Sequence, residues 1–326
     1  QGRLSYVQRE SEFDLSADDS VSGGEDDRVD NHTLSGQLLV NLTEHLSLKT
    51  FARYTEKQTD TDGFDFSGGP QQGLPVDNDS ISNTDDLTLG FSTTMKILDD
   101  RSTTRLAVAF TDTELDGESF GSESDREQVN LDSSWAFSDV GDLSQRTTLF
   151  VQYEKESFKN LVPADPSQVP IQERDMLGYG VEHRLAFSDK LFINGSLRFE
   201  NNDDFADATT YALDAAYLLD DSGSRLHASY GVAVTNPTFL EQFGFVPGTF
   251  VGNPDLEPEE SKGWDVGFSQ SLFDAAVMVD VTYFDVLLYN EIANSFPSVI
   301  NLSGESGRQG VELSADWQIS PDTVLN

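Results

Sequence analysis

The sequence predicts an all-β chain: a transmembrane, antiparallel up-and-down β-barrel. Three observations predict it. Apolar and polar residues alternate with period two along most of the 326 residues. The connections between the alternating segments switch regularly between short and long. The apolar fraction is low, at 37%, yet the chain holds 22 Phe, 9 Tyr and 3 Trp. Strands with one apolar face and one wet face reconcile those numbers.

The alternation is explicit along the chain. Leu34, Gly36, Leu38, Val40 and Leu42 share one face, with Ser35, Gln37 and Asn41 opposite. Leu177, Tyr179, Val181, Leu185 and Phe187 alternate with Gly178, Gly180, Glu182 and Arg184. Leu191, Ile193, Leu197 and Phe199 follow, then Tyr211 to Leu219, Leu226 to Val234, Val277 to Tyr283 and Val311 to Ile319. About fourteen such strands, most of roughly 9–14 residues, can be traced; soluble strands are usually ~5–6 residues. That length suits tilted strands crossing a bilayer.

Short connections fall at Thr43-Glu44-His45, Asp99-Asp100, 139–142, 188–190, 220–224 and Phe273-Asp274. Longer ones fall at 11–30, 59–82, 116–124, 159–170, 237–259 and 290–304. The short link at 202–207 is the exception. Sorting of this kind belongs to outer-membrane barrels, with short periplasmic turns and long extracellular loops. The polar faces carry Glu182, Arg184, Arg198, Glu200, Asp214, Asp265, Asp280, Glu312 and Asp316. Each would be costly against lipid, so they are expected to face a watery lumen. Trp135, Phe137, Tyr153, Phe187, Phe273 and Trp317 lie near strand ends, where interfacial aromatic girdles form. No apolar run approaches the roughly 18 residues of a membrane helix. The one helix candidate is 237–243, with Pro237 at the first helical position.

Composition excludes several functions. There is no Cys, hence no disulfide framework and no thiolate metal site. Net charge is −38, from 58 acidic and 20 basic residues. Nucleic acid is therefore a poor partner, since phosphate binding needs a basic footprint. An acidic surface attracts cations and repels anions. No Gly-x-Ser-x-Gly, P-loop or zinc motif occurs. His32, His45, His183 and His227 are scattered. Acid pairs are too frequent to mark a glycosidase site. An enzyme is not predicted.

Four segments carry a resemblance. Ser229–Gly244 is an aromatic-glycine strand followed by Pro237 and an aromatic-rich turn. Asn253-Pro-Asp-Leu-Glu-Pro-Glu259 follows, then Val281-Thr-Tyr-Phe-Asp285, then the element from Asn301 to Gly310-Val-Glu312. In this order the segments resemble the C-terminal half of the barrel of TonB-dependent outer-membrane receptors. The resemblance covers roughly residues 224–326; the earlier part shares only the barrel rhythm. It implies a barrel of about 22 strands, wide enough to need a plug. No plug, TonB-interacting box or final strands are recognisable, so the chain is expected to be an internal fragment. The resemblance further implies residence in the outer membrane of a Gram-negative bacterium, among its lipids. It implies TonB-driven uptake of a small-molecule nutrient, with the TonB contact outside this chain. A siderophore or cobalamin-like metal chelate leads, an oligosaccharide follows, and a passive porin or structural barrel is the rival. Pro254 and Pro258 read as architecture, fixing an extended approach to the next strand.

Two candidate sites emerge. Phe239, Phe243, Phe245 and Phe250 could offer an aromatic substrate surface at the mouth. Asp60, Asp62 and Asp65 surround a Gly turn, and Asp14, Asp18 and Asp19 lie in a second acidic loop with Asp26, Asp27 and Asp30. Hard Ca²⁺ takes several oxygen ligands, which alternate Asp residues can supply. The resemblance places these loops near where cobalamin-type receptors hold calcium. The competing readings are loop self-packing for the aromatics and a solvated acidic surface for the carboxylates.

Overall fold

The computed structural model describes residues 1–13, 27–64, 75–117, 121–137, 139–162, 171–219, 223–246, 250–274, 276–320 and 323–325. The strands are β1 (Gly2–Phe13), β2 (Asp27–Asn41), β3 (Leu46–Phe64), β4 (Pro75–Ile97), β5 (Ser102–Gly117) and β6 (Gly121–Ala136). Next come β7 (Leu143–Val162), β8 (Gln172–Phe187), β9 (Leu191–Asn202), β10 (Ala208–Leu219) and β11 (Ser224–Thr235). A helix, α1 (Phe239–Phe243), and two short strands, β12 (Phe245–Val246) and β13 (Phe250–Val251), follow. The chain then forms β14 (Glu259–Leu272), β15 (Val277–Tyr289), β16 (Ile292–Ser295), β17 (Ser298–Asn301), β18 (Glu305–Ser320) and β19 (Thr323–Leu325).

Fifteen strands form one antiparallel sheet in chain order, β1 to β11, then β14, β15, β18 and β19. Each inner strand is hydrogen-bonded to its nearest sequence neighbours within that sheet, which is the up-and-down pattern expected. Among the described residues no pairing joins β1 to β19. The other two sheets are the small hairpins β12–β13 and β16–β17.

Register separates two faces. On the apolar face Leu177 stands opposite Tyr153, Tyr179 opposite Val151 and Val181 opposite Leu149. The same face continues through Leu213 against Tyr230, Tyr230 against Trp264 and Val281 against Leu313. These side chains are exposed rather than buried in a core, for example Leu213 at 54% and Leu313 at 72%. Aromatics end the band at both edges. Trp135, Phe187 and Trp317 stand at the short-turn edge, and Tyr54, Tyr153 and Trp264 towards the long loops. All the charges expected to face a lumen, from Glu182 to Asp316, fall on the opposite, polar face.

The strands are longer than expected, up to 23 residues in β4 and 20 in β7. The segments 59–82 and 116–124 read as loops because their polar residues break the alternation, yet β3, β4, β5 and β6 run well into them. Backbone pairing continues where side-chain alternation has stopped. Beyond the apolar band this extension turns acidic. Glu56, Asp85, Glu114 and Glu123 stand directly opposite one another across β3 to β6. Four acids on neighbouring strands therefore form one row towards the long-loop edge of the apolar face.

The short-turn edge is made by tight hairpins. Ser188 and Asp189 have φ of 52° and 53°, and Phe273 and Asp274 have 54° and 55°. Two successive positive φ values match the twist of the flanking strands.

On the polar face, glycines let long side chains lie flat along the wall. The Arg198 guanidinium lies 2.3 Å from where a Cβ on Gly178 would be. At Gly180 a Cβ would sit 2.3 Å from the Leu197 carbonyl oxygen and 2.6 Å from the Phe150 ring. The carbonyl cannot yield without moving the ladder. Gly180→Ala is expected to destabilise the folded sheet by about 1–3 kcal/mol. A lower melting temperature in detergent is the readout; unchanged melting would show that the wall adapts.

Candidate functional site

The two most structured long loops lie at the same edge, between β11 and β14 and between β15 and β18. The first contains α1. Thr238 caps it: the Glu241 amide donates to Thr238 Oγ1 at 3.2 Å and the Thr238 amide donates to Glu241 Oε2 at 2.8 Å. This reciprocal pair satisfies amides that a helix start leaves open. Pro237 therefore precedes the cap and is not the first helical residue, as the sequence suggested; its fixed φ holds the approach to the helix.

α1 is seated on the polar face of β7 and β8. Phe239 stacks on Phe158 with centroids 5.7 Å apart and planes 6° from parallel. Asn160 Nδ2 donates to the Phe243 carbonyl at 2.6 Å. Arg174 ties three parts together. Its Nε donates to Glu156 Oε2 at 2.6 Å, its Nη1 to the Pro237 carbonyl at 2.8 Å, and its guanidinium lies 4.2 Å from the centre of the Phe239 ring. Glu154, 6% exposed, sits beside this anchor. Arg126, Gln128 and Gln152 donate to its Oε2 at 2.7, 3.0 and 3.2 Å. A buried carboxylate is tolerable only with such partners.

The Asn253-to-Glu259 segment joins the two loops. The Asn253 amide donates to the Glu241 carbonyl at 2.8 Å, and Nδ2 donates to the Val299 carbonyl at 3.0 Å. Its Oδ1 accepts from the Asp255 amide at 3.0 Å. Leu256, 4% exposed, is buried beneath. The Glu257 amide donates to Asn301 Oδ1 at 2.8 Å, and Asn301 Nδ2 donates to the carbonyls of Glu257 and Asn290 at 2.9 and 2.8 Å. Glu259 Oε1 accepts from the Ile292 amide at 2.6 Å. Two side-chain amides thus stand in for a sheet ladder between irregular segments. Gly252 permits the approach, since a Cβ there would lie 2.5 Å from the Gln242 carbonyl carbon.

The aromatic candidates do not share one environment. Phe239 is buried, and Phe243 tilts against it at 6.2 Å. Phe245 and Phe250 sit half-buried on the β12–β13 hairpin, opposite Val251 and Val246. Among the described residues, the most exposed apolar side chains of the two loops are others, Leu240 at 57% and Phe296 at 77%. Leu240 lies within the Ser229–Gly244 segment but is not one of its aromatics, and Phe296 lies in none of the four segments, so only the folded loop distinguishes them. Asp14, Asp18, Asp19 and Asp65 lie outside the described residues, and Asp62 is placed only by its backbone in β3. Asp60 accepts from Gln58 at 3.4 Å and faces Arg28 at 3.9 Å. Among the described residues no group of three or more His, Asp or Glu is arranged to hold a metal.

Asp204, in the β9–β10 turn, has a pKa raised above the usual carboxylate value. Partial burial is the main cause; repulsion from Asp203 and Asp175 adds to it, and Arg174 opposes it. The folded state thus binds this proton more tightly than the unfolded chain. Stability from the group is present in acid and is lost as pH rises through the raised value. Asp204→Asn is expected to raise the melting temperature at pH 7 and to make no difference near pH 3. Asn301→Ala is expected to loosen both loops by about 2 kcal/mol, the cost of stranding its partners. Protease nicking within 236–258 and 290–304 should rise while the sheet melts unchanged.

The model of the family described as TonB dependent receptor-like, beta-barrel, matches residues 3–325. The vitamin B12 transporter BtuB of Vibrio cholerae is 28% identical over 131 residues, covering 38% of this chain and 20% of that protein. BtuB of Photobacterium profundum is 28% identical over 168 residues, covering 50% of the chain and 27% of its own length. The crystal structure of the siderophore receptor PirA from Pseudomonas aeruginosa superposes with a TM-score of 0.75 at 13% identity. That match covers 99% of this chain and 61% of PirA. The chain thus spans less than two thirds of each of these relatives. The polar face is the lumenal wall of a barrel, and the chain belongs to the TonB-dependent receptor β-barrel family.

Proposed function

We propose that this chain is the wall and part of the outer mouth of an outer-membrane receptor that takes up a scarce, bulky nutrient, energised through TonB. The observation that carries the proposal is the pair of loops locked together by Asn253 and Asn301 at one edge of a wall with a polar lumenal face. An organised mouth of this kind suits capture of a large ligand better than free diffusion of small solutes. The apolar band with aromatics at both edges supports residence in the outer membrane.

A metal chelate, cobalamin-like or a siderophore, is the favoured cargo class, in keeping with relatives named for vitamin B12 and for siderophores. The net charge of −38 argues less against an anionic chelate than the sequence suggested. Lys49, Arg53 and Arg105 stand on the lumenal wall, whereas the row from Glu56 to Glu123 lies on the other face. Oligosaccharide uptake is the runner-up.

The test is uptake by a strain lacking the gene, using radiolabelled cobalamin, ferric siderophores and oligosaccharides, with TonB intact or deleted. Uptake of one class is expected to need both the gene and TonB. Flux that persists without TonB would replace this reading with a passive pore.

A further inference from the structure

We infer that the lumenal wall near the short-turn edge carries an oxyanion site, built on Arg146 of β7 and Arg184 of β8, that takes a carboxylate. The inference rests on the polar face being a lumenal wall, and not on the identity of the cargo.

Arg146 and Arg184 stand directly opposite each other in the β7–β8 register. Such pairs place their Cβ atoms about 4.5–5.5 Å apart, and like charges so placed repel. Arg184 has partial relief from Glu182, on its own strand. Arg146 has no acid within ion-pair distance among the described residues. The acids that continue the same row are already engaged. Asp214 accepts from Asn194 at 3.2 Å, and Asp265 accepts from Ser229. Neither carboxylate serves the arginine pair.

The pair opens onto a concavity of about 520 Å³. Arg225 lines it too, with His227, whose Nε2 is held by Asp280 at 2.9 Å, and with the carboxylates of Asp139, Asp214 and Asp265; Phe192, on the polar face, lines it at 39% exposure. The Arg184 side chain is 62% exposed, so its guanidinium is available to the lumen. Two guanidinium forks side by side match the geometry of a carboxylate. A carboxylate between them turns a repulsive contact into charge-assisted hydrogen bonds. It has two possible sources: a carboxylate-bearing solute in transit, or an acidic side chain of polypeptide lodged in the lumen.

The experiment uses the full-length protein in detergent, with citrate as the probe against sodium chloride of equal ionic strength. Phenylglyoxal labelling of Arg146 and Arg184 is followed by mass spectrometry, with the exposed Arg9 as reference. For a solute site, citrate should raise the melting temperature by about 2 °C or more. It should also slow labelling of Arg146 and Arg184 but not Arg9, and the double variant R146Q/R184Q should lose the shift. For a polypeptide source, both arginines should label slowly without citrate, and the double variant should melt below wild type. The inference is overturned if both label as fast as Arg9 with and without citrate while the variant melts at or above wild type. A citrate shift that survives in the double variant also overturns it. Loss of nutrient uptake with the citrate response intact would count against the proposed cargo and leave this site standing.

Discussion

No strand in this sheet is free to choose which face it shows. Each inner strand is held by the backbone ladders of two neighbours, and a slip of one residue would exchange its faces. In β8 that slip would turn Glu182 and Arg184 to the side now held by Tyr179, Val181 and Leu185. A basic residue on a lipid face costs about 2–4 kcal/mol near the bilayer midplane, and acids somewhat less. With charges on most strands, register is specified along the whole sheet. The aromatic edges, the glycines under Arg198 and Phe150, and the position of the mouth all inherit that register.

The mouth obeys a different rule. Its segments have no continuous ladder, so side chains must satisfy the backbone one group at a time. Asn253 and Asn301 each act as donor and acceptor, which an amide can do and a carboxylate cannot. Arg174 plays the corresponding part between α1 and the wall, with its charge balanced by Glu156. The two anchorages differ in chemistry. One is neutral and insensitive to salt; the other is an ion pair with an 18% exposed guanidinium, only partly screened by solvent. The loop between β11 and β14 is thus held at its start by charge and at its end by amide hydrogen bonds.

What was legible in the sequence follows from the range of each interaction. Alternation is local, so strand identity, face and order could be read, and so could the lumenal placement of residues from Glu182 to Asp316. Strand length could not, because the polar extensions of β3 to β6 keep backbone pairing without an alternating signal. The helix at α1 was legible, but its first turn was misplaced because Pro237 suits the position before a cap as well as the one after it. The Asn253 segment and the Asn301 element were each conspicuous as motifs. Their contact was not, since it spans some 44 residues and depends on two hairpins folding back. Arg174 carried no signal, since it lies before the alternating set that begins at Leu177. Of the four candidate phenylalanines, Phe239 is packed into the wall, and nothing in its spacing from Phe243, Phe245 and Phe250 distinguished it. The acidic loops that suggested calcium fall mainly outside the described residues.

Charge distribution carries one further consequence. Net charge describes the whole chain, but a ligand in the lumen meets only one face. The acidic row from Glu56 to Glu123 points away from that face and lies towards the long-loop edge. The lumenal wall alternates acids and bases instead, with Arg198 beside Glu200 and Arg126 beside Glu154. Paired charges of this kind produce short-range patches with little field beyond them. The acidic row and the wall present different charge patterns, and on the wall the departures from pairing are local, as where Arg146 stands opposite Arg184.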